Sequence, residues 1–165
     1  MAYLFIGLGA NLTPQGFNSL REGCEAALAA LDAEGIFLKQ TSNWYETAPV
    51  PVSDQPWYLN CVALASTRGD AAETLAALHR IEKRFGRVRA VRNGARVLDL
   101  DLLDFDGKCN QQPALTLPHP RMHQRGFVLL PLRELRPNWS HPVSGISIDD
   151  LIAQLPSCQK IRLAV

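Results

Sequence analysis

Two aspartates, two residues apart, are the residues of this chain whose types and spacing most clearly predict chemistry. Asp99 and Asp101 lie in the segment RNGARVLDLDLLDFDG, which runs from Arg92 to Gly107. Alternate side chains of a β-strand point to the same face, so the two carboxylates share a face while the leucines beside them fill the other. Their Cα atoms lie about 6 to 7 Å apart, close enough for the oxygens to converge on one magnesium ion or to bracket two. This spacing suits phosphoryl transfer.

Cationic side chains are concentrated directly before the aspartates, although the formal net charge of the whole chain is only +1. A guanidinium group can bind two phosphate oxygens at once and stays charged at any relevant pH. We therefore predict that GRVRAVRNGAR is a mobile loop that brings arginines over a phosphate chain. The alternatives are a solvated basic loop and a strand edge with solvated aspartates. The cations are Arg80, Lys83, Arg84, Arg87, Arg89, Arg92 and Arg96.

The motif RNGARVLDLDLL resembles the signature of the 6-hydroxymethyl-7,8-dihydropterin pyrophosphokinase (HPPK) family, enzymes of folate biosynthesis. The resemblance continues through YETAPV, DQPWYLN, RIEKRFGRVR and LPHPRMHQRGFVLLPL, in the family's order and with similar intervals, and it covers nearly the whole chain. It implies transfer of a pyrophosphoryl group from ATP to the hydroxymethyl oxygen of a reduced pterin, with release of AMP.

The resemblance also implies roles for individual residues. It implies that Asp99 and Asp101 hold two Mg²⁺ ions. The implied catalytic residues are Arg87, Arg96, Asp99 and Asp101. The implied ATP contacts are Arg87, Arg96, His119 and Arg125 at the triphosphate, with His79 and Glu82 close to the nucleotide. The implied pterin pocket consists of Thr47, Val50, Tyr58, Asn60 and Phe127, with Tyr58 and Phe127 on either side of the ring.

One short stretch departs from the family pattern. Many members carry Trp-Gly-Pro-Arg where this chain has Asn93, Gly94, Ala95 and Arg96. An aromatic side chain that could stack or seal the loop is therefore lost. We expect loop closure to differ and the metal site to be unchanged.

The elements around these residues predict an α+β fold. Their order is strand, helix, strand, strand, helix, strand, which is the ferredoxin-like split β-α-β arrangement of an antiparallel sheet with helices packed on one face. We expect the first helix to begin at Thr13 and Pro14, and the second to begin with a capping pair, Asp70 and Glu73. First and third strands beside the fourth would bring Tyr58 and Asn60 close to the aspartates.

Composition limits the other classes of function. The chain has 165 residues, of which 47% are hydrophobic and 20% charged, typical of one globular domain spanning 1–165. Balanced charge gives no reason to expect nucleic acid or a membrane as a partner. Four cysteines without a C-x-x-C pair favour free thiols in a reducing cytoplasm. We expect a cytoplasmic monomer, without a signal peptide, that binds small molecules, and a last third consisting of short helices and a closing strand without chemistry.

Two alternatives from other classes remain open. Arg125, Gly126 and Phe127 resemble the opening of the aromatic motif of an RNA-recognition domain, although Val128 replaces the small residue that should follow. A two-metal nucleotidyltransferase would also use paired aspartates on a strand. It would release pyrophosphate from ATP, whereas the HPPK reaction releases AMP.

Overall fold

The computed structural model describes residues 1–49, 51, 53–86 and 97–164. Its elements are β1 (Ala2–Ala10), α1 (Leu20–Ala29), β2 (Ile36–Thr41), β3 (Tyr45–Thr47), β4 (Tyr58–Thr67), α2 (Ala71–Arg84), β5 (Asp99–Phe105), β6 (Asn110–Gln112), β7 (Leu115–Leu117), α3 (Gly126–Leu135), α4 (Ile148–Ala153) and β8 (Ile161–Leu163). Short 3₁₀ turns lie at Asp32–Glu34 and Met122–Gln124. None of the described helices is long and apolar enough to cross a membrane.

The main sheet is antiparallel and has the strand order β5-β1-β4-β3-β8, with β2 also paired to β4. This arrangement confirms the predicted ferredoxin-like α+β fold. One detail of the predicted strand order was wrong, because within the described parts of the chain the first strand alone pairs with the aspartate strand. β1 pairs with β5 along one edge and with β4 along the other, so β4 reaches the aspartates across β1.

The two main helices begin where side chains satisfy their first backbone N–H groups. In α2, the Asp70 carboxylate accepts from the Glu73 N–H at 2.8 Å and the Glu73 carboxylate accepts from the Asp70 N–H at 2.9 Å, as predicted. α1 is capped by Ser19, not by Thr13 as predicted. Gly16 has a φ of 91°, which no right-handed helix contains, so the chain turns after Pro14 before the helix begins.

Helices cover both faces of the sheet, which corrects the prediction of helices on one face. α1 and α2 pack on the face that carries Leu98, Leu100 and Leu102. α3 and α4 pack on the opposite face, which also carries Phe5 and Val62. An apolar face must be buried, and the short helices of the last third bury this one. These short helices leave part of the apolar face uncovered at the end of the sheet where the aspartates lie.

The capping pair of α2 gives a first prediction, for stability. Asp70→Ala removes the acceptor of the Glu73 N–H, so the free energy of unfolding should fall by about 0.5 to 2 kcal/mol. Urea unfolding measures this loss. The matched control is Asp54→Ala, at an exposed loop position, which should change the stability by less than about 0.5 kcal/mol. Equal stability of the two variants would contradict the capping assignment.

Candidate active site

The register of three strands brings the central site residues into two neighbouring rows. Asn60 of β4 stands opposite Gly9 of β1, and Gly9 stands opposite Asp99 of β5. Two residues earlier in β1, Gly7 stands opposite β4 on one side and opposite Asp101 on the other. Residues that face each other across antiparallel strands point to the same side of the sheet. The two aspartates therefore share a face with each other and with Asn60, as predicted.

A cavity of about 570 Å³ opens over this face. Both aspartates line it, and glycines replace side chains in the middle of its floor, at Gly7 and Gly9. The cavity thus has carboxylates along one edge of β1 and an amide along the other. The predicted site residues among its lining are Thr47, Tyr58, Asn60, Asp99, Asp101, Arg125 and Phe127.

At the β4 end, the amide of Asn60 is fixed in place. The side chain is only 4% exposed, and its Nδ2 donates to Thr47 Oγ1 at 2.8 Å. A Cβ atom at position 9 would lie 2.8 Å from Asn60 Oδ1, closer than such atoms approach in proteins. Glycine at position 9 therefore gives the amide the room it occupies. An amide held this way presents a fixed polar group to a flat ring.

At the β5 end, Asp101 is the centre of a charged cluster. Its Oδ2 atom lies 3.7 Å from a terminal nitrogen of Arg125 and 3.9 Å from His119 Nε2. The Arg125 guanidinium also lies over the ring of Phe127, with its central carbon 5.4 Å from the ring centroid. Arg125 therefore connects the carboxylate end of the cavity to its aromatic side.

His119 is a neutral imidazole held in one orientation. Its backbone N–H donates to Leu103 O at 2.8 Å, and its Nδ1 accepts from the Arg121 N–H at 3.1 Å. Burial lowers the pKa of His119 from 6.5 to about 4, and Arg125 acts in the same direction while Asp99 opposes it. Because Nδ1 is an acceptor, the neutral ring carries its proton on Nε2, toward Asp101.

Three residues predicted to contact ATP are not part of the described lining of the cavity: His119, which lies beside Asp101, and Glu82 and His79 of α2. Glu82 is 2% exposed, and its carboxylate accepts from the Leu100 N–H at 2.9 Å. Leu100 lies between the two aspartates, so Glu82 holds their backbone in place. His79 lies on the exposed side of the same helix. The predictions for Val50, Arg87 and Arg96 fall on positions outside the described residues.

The sequence prediction missed part of the cavity wall. Arg121 and Gln124 line it from the turn before α3, and the segment from Pro156 to Ile161 lines it from the C-terminal third. The prediction that the last third carries no chemistry overlooked this wall. No periodicity or motif marks the segment; contacts with distant residues, among them its pairing with β3, bring it to the cavity.

The same turn weighs against the RNA-binding alternative. In an RNA-recognition domain, the aromatic motif lies on a sheet strand so that bases can stack on the sheet. Here Gly126 and Phe127 begin α3 instead. The resemblance of this tripeptide to that motif is therefore confined to the sequence.

Comparison with known proteins agrees with the geometry. The sequence model of 7,8-dihydro-6-hydroxymethylpterin-pyrophosphokinase (HPPK) matches residues 5–137. The chain belongs to the HPPK family. The HPPK match includes both aspartates, Asn60 and the turn that carries Arg125, but it ends before the C-terminal segment that lines the cavity.

Individual HPPK proteins match over most of the chain. A protein of Haemophilus influenzae named 2-amino-4-hydroxy-6-hydroxymethyldihydropteridine pyrophosphokinase is 38% identical over 99% of this chain and 99% of its own length. A Synechocystis protein of the same name is 40% identical over 91% of this chain and 74% of its own. The first of these relatives is similar to this chain from end to end, and the second over about three quarters of its own length.

A solved structure shares the fold at low sequence identity. The HPPK-DHPS protein of Plasmodium falciparum superimposes with a TM-score of 0.70 at 15% identity and covers 93% of this chain. This chain spans only 44% of that protein. The similarity shows the fold alone.

The environment of His119 predicts how stability depends on pH. The unfolded state binds a proton at His119 below about pH 6.5, whereas the folded state binds it only near pH 4. As the pH falls through this window, the imidazole should lower the free energy of unfolding, by on the order of 1 to 3 kcal/mol. Urea unfolding of wild type and His119→Gln between pH 4 and 7 measures the difference. Equal pH dependence in both proteins would contradict a depressed pKa.

Proposed function

We propose that this protein transfers a pyrophosphoryl group from ATP to the hydroxymethyl group of 6-hydroxymethyl-7,8-dihydropterin in folate biosynthesis. The products are the pterin diphosphate and AMP. Membership of the HPPK family and the names of its relatives support this reaction. The observation that carries the proposal to the residues is one cavity in which paired carboxylates and a fixed amide share a face of the sheet.

The pterin binds at the β4 end of the cavity in this proposal. Asn60 supplies both a donor and an acceptor to the edge of the ring, and its contact with Thr47 keeps the amide from rotating. Tyr58 and Phe127 line the same cavity from different elements, consistent with a ring held between two aromatic faces. The HPPK resemblance adds Val50 to this pocket.

The triphosphate of ATP binds at the β5 end. His119 Nε2–H and the Arg125 guanidinium both point to the space around Asp101, where they can donate to phosphate oxygens. The neutral imidazole donates one directed hydrogen bond, while the guanidinium supplies charge. By resemblance, Arg87 and Arg96 add cations from the segment before β5, and His79 lies close to the nucleotide.

Asp99 and Asp101 would hold the magnesium in this proposal, as two ions. Among the described residues, no group of three or more histidines, cysteines or acids could hold a metal. The two aspartate carboxylates fit Mg²⁺, which is often bound by one or two carboxylates together with substrate phosphates and water. When bound, the metal neutralises charge on the phosphates. Glu82 acts indirectly in this proposal, by fixing the backbone between the two carboxylates.

The protein's own contribution to the reaction is position and charge. The amide end fixes the pterin so that its hydroxymethyl oxygen faces the phosphates, and the cations bind the triphosphate so that the β-phosphorus lies in line with that oxygen. Arg125 contacts both halves, because it lies beside Asp101 and over Phe127. It can therefore couple occupancy by ATP to the aromatic side of the pterin pocket.

The setting of the enzyme is also part of the proposal. We infer a single domain that acts as a monomer in the cytoplasm. All four cysteines are free thiols, and two of them, Cys24 and Cys61, are buried. Burial raises the pKa of Cys24 to about 12, so this thiol stays protonated and unreactive. Free thiols are typical of a reducing compartment.

Product analysis tests the reaction directly. Incubation with ATP, Mg²⁺ and 6-hydroxymethyl-7,8-dihydropterin should yield AMP and the pterin diphosphate in equal amounts. The nucleotidyltransferase alternative predicts free pyrophosphate and an adenylylated product instead. Formation of ADP or free pyrophosphate as the main product would contradict the proposed function.

Substitution of either aspartate should lower the turnover rate strongly without disrupting the fold. Asp101→Asn removes a charge that the metal needs, so turnover should fall by at least about a hundredfold, equivalent to about 3 kcal/mol in the barrier. Asp99→Asn should behave alike. Asp106→Asn, in the turn after β5 and exposed, is the matched control and should keep wild-type turnover. Near-normal turnover of Asp101→Asn would refute the metal assignment.

Loss of the Asn60 amide should weaken pterin binding selectively. Asn60→Ala removes both the donor and the acceptor that the amide offers to the ring, so the pterin Kd should rise by about tenfold or more. The Kd for an ATP analogue should change little. Calorimetric titration with each ligand measures both constants. Ser66→Ala, buried in the distant half of the same strand, is the control. An equal loss for both ligands would mean that the pterin pocket lies elsewhere.

A further inference from the structure

The C-terminal segment forms one wall of the cavity, in a part of the chain that the HPPK sequence model does not match. The match ends at residue 137, whereas Pro156 and the residues from Cys158 to Ile161 line the cavity. This wall is fixed to the pterin end of the site. Ile161 pairs with Thr47, and Lys160 O accepts from the Ala48 N–H at 3.1 Å.

Within this wall, the side chain of Gln159 makes two short hydrogen bonds across the cavity rim. Its Oε1 accepts from the Gly126 N–H at 2.8 Å, and its Nε2 donates to Gln124 O at 2.7 Å. These two backbone groups lie immediately before and after Arg125. One planar amide therefore holds both ends of the residue that contacts Asp101.

Gly126 lies at the start of α3, where the helix needs hydrogen-bond acceptors from outside. The first N–H groups of a helix have no acceptor within it, and α3 has no hydrogen bond from the side chain of its N-cap residue, Arg125. Gln159 supplies an acceptor from a distant part of the chain. Close packing reinforces the contact, because a Cβ atom at Gly126 would lie 2.3 Å from Ile161 Cδ1.

We propose that Gln159 is a positioning residue that sets the orientation of Arg125 and, through the stacking of its guanidinium, of Phe127. The inference rests on the proposed function for what those two side chains contact, the triphosphate of ATP and the pterin ring. Arg125 and Phe127 are stacked on one another, so a tilt of the backbone at the start of α3 displaces both. Misplacement of about 1 Å at a reacting centre can cost up to about a hundredfold in rate.

Gln159→Met tests the proposal, because methionine keeps the length of the side chain and removes both hydrogen bonds. We expect kcat/KM to fall by about tenfold or more, with a thermal midpoint close to that of wild type. A double-mutant cycle with Arg125→Ala separates positioning from general destabilisation. If Gln159 acts through Arg125, the same substitution in the Arg125→Ala background should lower kcat/KM by less than about threefold.

The matched control is Arg162→Ala, in β8, which follows Gln159 in the same C-terminal segment. It removes the 2.8 Å contact of Arg162 with Glu46 and its stacking on Trp57, and Arg162 does not line the cavity among the described residues. This variant should keep kcat/KM within about twofold of wild type even where its thermal midpoint falls. A loss in Arg162→Ala as large as in Gln159→Met would overturn the proposal, as would equal effects of Gln159→Met with and without Arg125.

A readout without turnover keeps this inference separate from the proposed function. Amide hydrogen exchange at Gly126 should become faster in Gln159→Met, since its N–H loses its acceptor, and the exchange at Thr74 in α2 should not change. Unchanged exchange at Gly126 overturns the positioning role. An inactive wild-type protein with the expected exchange would instead refute the proposed reaction.

Discussion

The site depends on the register of β1 between its two neighbours. Gly9 stands opposite both Asn60 and Asp99, so the amide and the carboxylates lie on one face only at this alignment. A slip of one residue would turn a whole strand over and send the carboxylates into the apolar side of the sheet. Burial of an uncompensated carboxylate costs several kcal/mol, which disfavours that slip. The leucines that flank the aspartates thereby fix the position of the chemistry.

Around this row of residues, three parts of the site are each held by a residue from another element. Glu82 of α2 binds the backbone between the aspartates, Thr47 of β3 binds Asn60, and Gln159 of the C-terminal segment binds the backbone beside Arg125. Groups fixed before the substrates arrive need no reorganisation during the reaction, which is what catalysis by position requires. The segment after α4 thus supports chemistry carried by residues from β1 to the start of α3.

Sequence alone predicts the parts of this site that follow from local rules. Strand alternation placed Asp99 and Asp101 on one face, and the capping pair located the start of α2, because both depend on neighbours in sequence. The strand order, the helices on the second face and the wall around Gln159 depend on contacts between distant segments, which no local pattern encodes. The start of α1 was misplaced for a related reason: the signal of Pro14 is overridden by the left-handed turn at Gly16.

In the proposed enzyme, metal and pterin occupy opposite ends of one cavity, on either side of the glycine strand. Paramagnetic relaxation can measure their proximity, with Mn²⁺ in place of Mg²⁺, a non-hydrolysable ATP analogue and the bound pterin. We expect Mn²⁺ to relax the pterin protons strongly, and we expect this effect to be lost when Asp101 is replaced by asparagine. If the pterin binds normally but its protons are unaffected by Mn²⁺, metal and pterin do not share this cavity.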